Sequence, residues 1–365
     1  MRKPLLPLAA LVVALAASPA SAQQVTVKLG TLAPQGSTWH KILLELGEKW
    51  AQASGGKVKL RIYPGGAQGS EGDMVRKMNV GQLQAAAISN VGMHDIVKEP
   101  QAISAPGMIE SSAELHAVVD KVEPRLDALL EARGFVALQW SEIGALKIFC
   151  AEPYRTPAEM ANAKMFAWDG DPASVEAWKA AGFRPVVLSS TDIVPSLQTG
   201  MINCVANVPL YVLTARLFER ADNMMDVNWG FLVGATVIKK DTWEQIPADL
   251  RPKLLAIARE LGEKVDAEVK RLNEEAVVAM KKQGLTVVAT DPAPWRAAAE
   301  KAWPVIRGGV VPADFFDQVV KARDEFRRSN ASSSSATGAG AAGSKAPAKP
   351  GASKPQPKPA SSPKK

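Results

Sequence analysis

Residues 142–210 read EIGALKIFCAEPYRTPAEMANAKMFAWDGDPASVEAWKAAGFRPVVLSSTDIVPSLQTGMINCVANVPL, and this stretch decides the fold class. Its short apolar runs, which are typical of strands, lie at 145–150, 164–168, 185–188 and 202–205. The amphipathic segments between them, which are typical of helices, lie at 157–162, 172–182 and 193–200. Strands that alternate with helices of roughly ten residues predict βαβ units around a mostly parallel sheet, an α/β fold.

Two strand ends in this stretch carry candidate ligand-binding residues, because ligands of such sheets bind beyond the carboxyl ends of the strands. Side chains alternate along a strand, so Phe166 and Trp168 share one face. Asn207 places an amide where the strand at 202–205 ends. On the residues alone, Phe166 and Trp168 are also typical of ordinary core aromatics.

Both ends of the chain are predicted to lie outside the fold. Residues 1–22 have the pattern of a cleaved signal peptide, with Arg2 and Lys3 ahead of an apolar run that is too short to span a bilayer. We therefore expect an exported, periplasmic protein whose mature chain begins at Gln23. Residues 329–365 are rich in Ser, Ala, Gly, Pro and Lys, with no acid and no aromatic residue, and are predicted to be disordered.

The net charge of +7 comes from the ends of the chain. It reflects 44 basic against 37 acidic residues. Without Arg2, Lys3 and the six lysines of the tail, 36 basic residues face 37 acidic ones. The folded part is therefore almost neutral, and the basic isoelectric point does not indicate a nucleic-acid partner.

The rest of the chain also alternates strands and helices. Residues 25–63 predict a β-α-β unit with strands at 25–29 and 58–63 and a helix that Ser37 or Thr38 caps. Further strands are predicted at 83–89, 135–140, 224–227, 231–238 and 285–289. Further helices are predicted at 73–80, 93–97, 113–133 with an interruption at Pro124, 210–219, 242–284 with a break at Pro247 and Pro252, 294–305 and 312–327.

The two cysteines, Cys150 and Cys204, leave two possibilities open. Both lie on predicted strands of one region, and an oxidising compartment would allow them to pair. Two small buried thiols are the alternative, because spacing does not show whether the Cα atoms come close enough for a bridge.

The sequence contains no recognisable catalytic, metal-binding or nucleotide-binding motif. The three histidines have no second histidine or cysteine at metal-ligand spacing, and no Gly-x-Ser-x-Gly motif occurs. The glycine-rich stretch 64–73 lacks the Gly-Lys-Ser/Thr of a phosphate loop and the glycine spacing of a dinucleotide site. We therefore expect a binding protein without cofactor, metal or catalytic residues.

A set of short motifs resembles one family of binding proteins. They are Gln68-Gly69-Ser70-Glu71 followed by Met74, Gly81-Gln82-Leu83-Gln84-Ala85-Ala86, Pro106-Gly107-Met108-Ile109, Arg155-Thr156-Pro157-Ala158-Glu159-Met160, and Ser196-Leu197-Gln198-Thr199-Gly200-Met201-Ile202 ending in Asn207-Val208-Pro209. In their order and spacing they resemble the extracytoplasmic solute-binding proteins of TRAP transporters, of the class named for C4-dicarboxylate uptake (DctP). The resemblance covers nearly all of 25–326.

The resemblance implies a two-lobe, type II-like periplasmic-binding-protein fold, in which each lobe is a mixed sheet flanked by helices and a long helix links the lobes. Residues 242–284 fit that helix, and residues 135–150 fit a strand that crosses between the lobes. It implies that 23–140 with 212–250 form lobe I and that 141–211 with 251–328 form lobe II. It also implies a small-molecule ligand, delivery to the membrane permease subunits of a TRAP transporter, and no enzymatic activity.

The resemblance also implies a departure at the ligand site. Most relatives carry an arginine that clamps a ligand carboxylate where this chain has Phe166, and many carry another where it has Leu146. The neighbouring Lys147 faces the other way along a strand. We therefore expect Phe166, Trp168 and Leu146 to line the cleft and to select an uncharged or largely apolar ligand. Asn207 matches the family's ligand-contacting asparagine, and weaker candidates are Glu71, Ser89, Asn90, Tyr211 and Trp229.

Other interpretations remain open from the sequence. Lys147, Arg155 or Arg184 would substitute for the missing cation if the ligand is an ordinary organic acid. A ligand-binding sensor or scaffold without a transport role is another possibility. Some relatives without the arginine act with a helical-repeat partner protein, and this chain would then be similar. For Tyr211 and Trp229 the alternative role is packing of the lobes.

Overall fold

The computed structural model describes residues 24–339, apart from the side chains of Ala173 and of 332–339. The predicted signal peptide at 1–22 lies outside the described residues. The strands are β1 (Val25–Thr31), β2 (Val58–Tyr63), β3 (Ala85–Ser89), β4 (Phe135–Cys150), β5 (Lys164–Trp168), β6 (Arg184–Leu188), β7 (Cys204–Asn207), β8 (Asn223–Lys239) and β9 (Thr286–Val288). The helices are α1 (Thr38–Ala53), α2 (Glu71–Asn79), α3 (Asn90–Met93), α4 (Ser112–Ala132), α5 (Pro172–Ala180), α6 (Ile193–Thr199), α7 (Pro209–Thr214), α8 (Lys240–Gln245), α9 (Arg251–Lys281), α10 (Pro292–Glu300), α11 (Trp303–Gly309) and α12 (Ala313–Ala339).

The long strands β4 and β8 form the centre of one mixed sheet. They pair antiparallel from Phe135 opposite Lys239 to Cys150 opposite Asn223. The strand order is β2-β1-β3-β8-β4-β7-β5-β6, and β9 also pairs with β8. We define lobe I as the half with β1, β2 and β3, and lobe II as the half with β5, β6, β7 and β9; β4 and β8 run through both halves.

For β8, the prediction of two shorter strands at 224–227 and 231–238 is wrong. For β4, the apolar runs at 135–140 and 145–150 belong to one strand over 135–150, as the resemblance implied. The pairing of β4 with β8 continues through a register shift between Glu142 and Gly144. Gly144 has a φ of 134°, which favours glycine because other residues are strained there. A bulge at this point lets the ladder continue through a polar segment that interrupts the apolar pattern.

Helices cover both faces of the sheet in each lobe. In lobe I, α1 and the first half of α9 cover one face, where Trp50 packs with Leu254. On the other face α4 and α12 pack together through Leu126 and Phe315. In lobe II, α5 and α10 cover one face, and α6 and α7 cover the other.

The lobe boundaries in the structure differ from the predicted ones. α12 packs on α4 in lobe I, although 251–328 was assigned to lobe II. Val212 and Phe218 pack with Phe166 in lobe II, although 212–250 was assigned to lobe I. Periodicity shows which positions are apolar, but it does not show which sheet face they cover, and the boundaries depend on that choice.

The long helix α9 links the lobes as expected. Leu254 and Leu261 lie in the core of lobe I, whereas Met280 lies in the core of lobe II. The predicted break separates α8 from α9, and Pro252 lies in the first turn of α9, where its missing N–H has no helical partner to lose. Within the described residues, no helix is long and apolar enough to cross a membrane.

Two further predictions about helices need correction. α4 runs without a break through Pro124, whose neighbours Val122 and Leu126 are fully buried, so packing outweighs the cost of the proline. α12 continues to Ala339, into the segment 329–365 that was predicted to be disordered. Residues 331–339 contain no proline and include alanines, which favour a helix. The remainder of that segment lies outside the described residues.

Cys150 and Cys204 form a disulfide bond, which decides between the two possibilities that the sequence left open. They lie directly opposite each other on β4 and β7, and their Cα atoms are 4.1 Å apart. The bond fastens the crossing strand β4 to the sheet of lobe II.

Candidate functional site

A cavity with a volume of about 270 Å³ lies between the two lobes. We call it the main cavity. It is lined by the carboxyl ends of β1, β3, β5 and β7, by α1 and α2, and by the middle of β4 and β8. Its place beyond the strand ends agrees with the position expected for a ligand in such a sheet.

Glu71 lies at the start of α2 on the lobe I side of the main cavity. Ser70 caps this helix in a capping box with Asp73, which fixes where the helix begins. The buried carboxylate of Glu71 accepts hydrogen bonds from the Ser89 hydroxyl at 2.6 Å and from the backbone N–H groups of Ser89 and Gly92, each at 2.9 Å. Burial raises the pKa of Glu71, and the hydrogen bonds oppose that effect. Glu71 therefore holds the end of β3 against the start of α2.

Three aromatic side chains form flat surfaces in the main cavity. They are Trp39 on α1, Trp168 at the end of β5 and Tyr211 on α7. Burial, followed by the charge of Glu71, raises the pKa of the Tyr211 hydroxyl, so Tyr211 is a neutral hydrogen-bonding group. Rings or alkyl chains of a ligand would pack well on these surfaces.

Asn207 ends β7 on the lobe II side. It is 5% exposed, and its Oδ1 accepts a hydrogen bond of 2.9 Å from the backbone N–H of Val208. This bond orients the amide at the wall of the main cavity.

Of the residues predicted from the sequence, five line the main cavity: Glu71, Ser89, Trp168, Asn207 and Tyr211. The other four, Asn90, Leu146, Phe166 and Trp229, line a separate cavity of about 30 Å³, which we call the small cavity. Trp168 and Leu232 line both cavities, so the two are neighbours.

Phe166, which was expected to line the cleft, lines the small cavity and not the main cavity. Its ring is 2% exposed and contacts the Trp168 ring edge-on, with the centroids 5.2 Å apart. Trp229 stacks face to face on Trp178 at 4.6 Å, which agrees with the alternative role in packing. Alternation along β5 places Phe166 and Trp168 on one face, but it does not show that Trp168 alone reaches the main cavity.

The charged groups around the main cavity are mainly acidic. Its carboxyl groups belong to Glu71, Asp95, Glu142 and Asp169. Among the residues that the structure describes, the one cationic side chain that lines it is Arg76, which forms an ion pair with Asp73.

Sequence reasoning missed Arg76. No spacing in the sequence singles it out, because its place at the main cavity depends on how α2 packs in the fold. The cations proposed from the sequence lie elsewhere. Lys147 pairs with Asp226 at 3.1 Å in a surface pocket, and neither Arg155 nor Arg184 lines the main cavity.

Glu142 belongs to a buried polar cluster beside the main cavity. Its Oε1 accepts a hydrogen bond of 2.9 Å from Ser112, and its Oε2 lies 3.3 Å from Nε2 of His116. Asp266 on α9 lies 3.8 Å from the same nitrogen. Burial raises the pKa of Asp266 to about 7, whereas the hydrogen bond with Glu142 raises the pKa of His116. No pattern in the sequence indicates this cluster, because its members come from three distant elements.

The two-lobed fold and its interlobe cavity define the class of periplasmic solute-binding proteins. Residues 29–307 match the family described as "Bacterial extracellular solute-binding protein, family 7" (DctP), so the chain belongs to that family. It is 27% identical over 289 residues to the C4-dicarboxylate-binding periplasmic protein DctP of Rhodobacter capsulatus, an alignment that covers 78% of this chain and 85% of that protein.

Solved structures of TRAP periplasmic solute-binding proteins have the same fold. The protein of Desulfovibrio salexigens with bound orotic acid superimposes with a TM-score of 0.78 at 17% identity, over 84% of this chain and 99% of that one. The protein of Sulfurospirillum deleyianum with bound succinate gives a TM-score of 0.75 at 21% identity, over 81% and 98%. The chain is therefore a solute-binding protein of the TRAP-transporter family, which consists of transport components.

Proposed function

We propose that this chain captures a small uncharged or largely apolar molecule in the main cavity and delivers it to the membrane permease subunits of a TRAP transporter. Export to the periplasm would follow from the signal peptide predicted at 1–22. Binding of a helical-repeat partner protein stays a prediction. No contact among the described residues tests it.

The observation that carries this proposal is the balance of charge in the main cavity. Four carboxyl groups and three aromatic rings line it, while its one described cation, Arg76, is already paired with Asp73. Closing a ligand carboxylate into such a site costs several kcal/mol, unless a cation accompanies it. An uncharged ligand avoids that cost and packs on Trp39, Trp168 and Tyr211.

One observation favours a second candidate, an organic acid. Arg76 lines the main cavity, and its side chain is 69% exposed. Turning from Asp73 to a ligand carboxylate would therefore need little rearrangement. The relatives from Desulfovibrio salexigens and Sulfurospirillum deleyianum hold orotic acid and succinate.

A thermal-shift screen separates the two candidates. Purified mature protein is tested with succinate, sugar acids and matched neutral compounds. We expect neutral compounds to raise the melting temperature and the acids to leave it unchanged. Acids that stabilise the wild type and Lys147→Gln, but not Arg76→Gln, would show that Arg76 binds a carboxylate, and the proposal would then be wrong.

A further inference from the structure

The small cavity beside the main cavity contains polar atoms that the protein leaves without hydrogen bonds. Within residues 24–339, three residues that line it carry a buried side-chain oxygen without a hydrogen bond of good geometry: Oδ1 of Asn90, Oε1 of Gln101 and Oγ of Ser104. Of these three residues, Gln101 also interacts with the side chain of His94, which does not line the cavity. Asn90 and Gln101 are 2% and 1% exposed. Buried polar groups in folded proteins nearly always have hydrogen-bond partners. Three such oxygens on residues around one cavity therefore need a common explanation.

The orientation of the Gln101 amide is fixed by a neighbour. Its Nε2 donates a hydrogen bond of 3.0 Å to Oδ1 of Asp171, a carboxyl group that also accepts the backbone N–H of Ser174 at the start of α5. The opposite orientation would bring the Gln101 oxygen against the carboxylate oxygen. Oε1 of Gln101 is therefore an acceptor with two lone pairs, of which the side chain of His94 takes at most one.

Apart from Asp171 and Ser174, the remaining walls of the small cavity are apolar. Leu146, Phe166, Trp178 and Trp229 surround the polar atoms, and no described cation lines the cavity. In such surroundings a hydrogen bond to Gln101 or Asn90 is strengthened, whereas an anion would face acceptor oxygens without a counter-charge. The cavity therefore selects a hydrogen-bond donor and excludes a carboxylate.

The size and place of the small cavity limit what can occupy it. About 30 Å³ holds a group of one or two heavy atoms. Because Trp168 and Leu232 line both cavities, a ligand packed on these side chains in the main cavity lies next to the small one.

We propose that the small cavity is a subsite for a hydroxyl or amino group of the ligand, which donates hydrogen bonds to Gln101 and Asn90. The ligand is then an otherwise apolar alcohol or amine. This inference rests on the proposed function, because it places the apolar remainder of the ligand in the main cavity.

Two experiments test the subsite. The first is a crystal of the mature protein soaked in methanol or in methylammonium. We expect the oxygen or nitrogen of the probe within about 3.2 Å of Oε1 of Gln101. A single ordered water that neither probe displaces, or no density, would overturn the proposal.

The second experiment compares 2-phenylethanol, 2-phenylethylamine and ethylbenzene by calorimetry, and the two donor compounds distinguish alcohol from amine. We expect wild-type protein to bind at least one donor compound about tenfold more tightly than ethylbenzene, a difference of one good hydrogen bond. Asn90→Leu should remove that preference while ethylbenzene binding persists. The matched control is Asn228→Leu, an exposed amide on β8 outside both cavities, which should keep the preference.

The possible failures are distinguishable. Binding of ethylbenzene as tight as that of the donor compounds, or no binding of any of the three, contradicts the subsite. If succinate binds through Arg76 in the screen described above, the proposed function itself fails. Loss of folding in Asn90→Leu is detected by its melting temperature, and Ser104→Ala then serves as the second variant.

Discussion

The backbone N–H of Glu142 donates a hydrogen bond of 2.7 Å to Oδ1 of Asp266, and this bond joins the crossing strand β4 to the long helix α9 beside the main cavity. His116 on α4 faces the carboxyl groups of both residues. Asp120 and Glu263 add negative charge around the same cluster. The place where the chain passes from lobe I to lobe II therefore contains groups that titrate near neutral pH.

The stability of the protein should fall as the pH rises from about 6 to 8. The pKa of Asp266 is raised from 3.8 to about 7, and that of His116 is raised above 6.5, so these two groups hold more protons in the folded state than in the unfolded state. A raised pKa contributes stability at low pH that is lost as the pH passes through the folded value. A loss of about 1 kcal/mol lowers the melting temperature by about 2–4 °C. Calorimetric melting across this pH range measures the change.

Asp266→Asn should flatten that pH dependence. The asparagine keeps an oxygen to accept the Glu142 N–H, but it does not titrate. Asp249→Asn, at an exposed position, is the matched control and should melt with the wild-type pH dependence. A variant at Asp266 with the full wild-type slope would show that other groups cause it.

Removing the disulfide should destabilise lobe II. Cys150 and Cys204 are separated by 54 positions in the sequence, and the bond restricts the unfolded chain over that loop. Cys150→Ala with Cys204→Ala should lower the free energy of unfolding by about 2–4 kcal/mol. Denaturant titration measures it, and wild-type protein in a reducing agent should show a similar loss. Equal stability of the oxidised and reduced proteins would contradict the prediction.

Glu71→Gln should weaken the lobe I wall of the main cavity. The carboxylate of Glu71 accepts from three donors on Ser89 and Gly92, and the NH₂ group of glutamine would face at least one of these donors. A buried donor left unsatisfied costs about 1–3 kcal/mol. The loss should appear in denaturant titration, whereas Glu48→Gln at an exposed position of α1 should have little effect. Stability equal to wild type would mean that the amide satisfies all three donors.

Local signals in the sequence were sufficient for much of the fold. Ser37 caps α1 and β2 spans 58–63 as predicted, because caps and short alternating strands depend on neighbouring residues. The continuity of β4 was implied by the resemblance and not by its own residues, because its polar middle is held by pairing with distant β8. Arg76 was missed for the same reason, since its approach to the main cavity depends on how α2 packs beside β3. Phe166 contacts Trp168 but lines only the small cavity, and no pattern of residue types shows which of the two rings reaches the main cavity.

Gly144→Ala should be more destabilising than an alanine at another glycine with positive φ. At Gly144, where φ is 134°, a Cβ atom would lie 2.6 Å from Nδ2 of Asn273. Two hydrogen bonds of 2.9 Å resist displacement of the Asn273 side chain. Its Oδ1 accepts a hydrogen bond from the Leu210 N–H, and its Nδ2 donates one to the Val269 carbonyl.

Gly284 is the matched control, because its φ is 107° and a Cβ atom there would meet nothing within 4 Å. Gly284→Ala should cost only the backbone strain, about 1–2 kcal/mol. Gly144→Ala should cost about 1–3 kcal/mol more, since overpacking displaces Asn273 and loosens α7 from α9. Denaturant titration of both variants measures the difference. Equal losses would show that the bulge in β4 accommodates a side chain and that Asn273 is free to move.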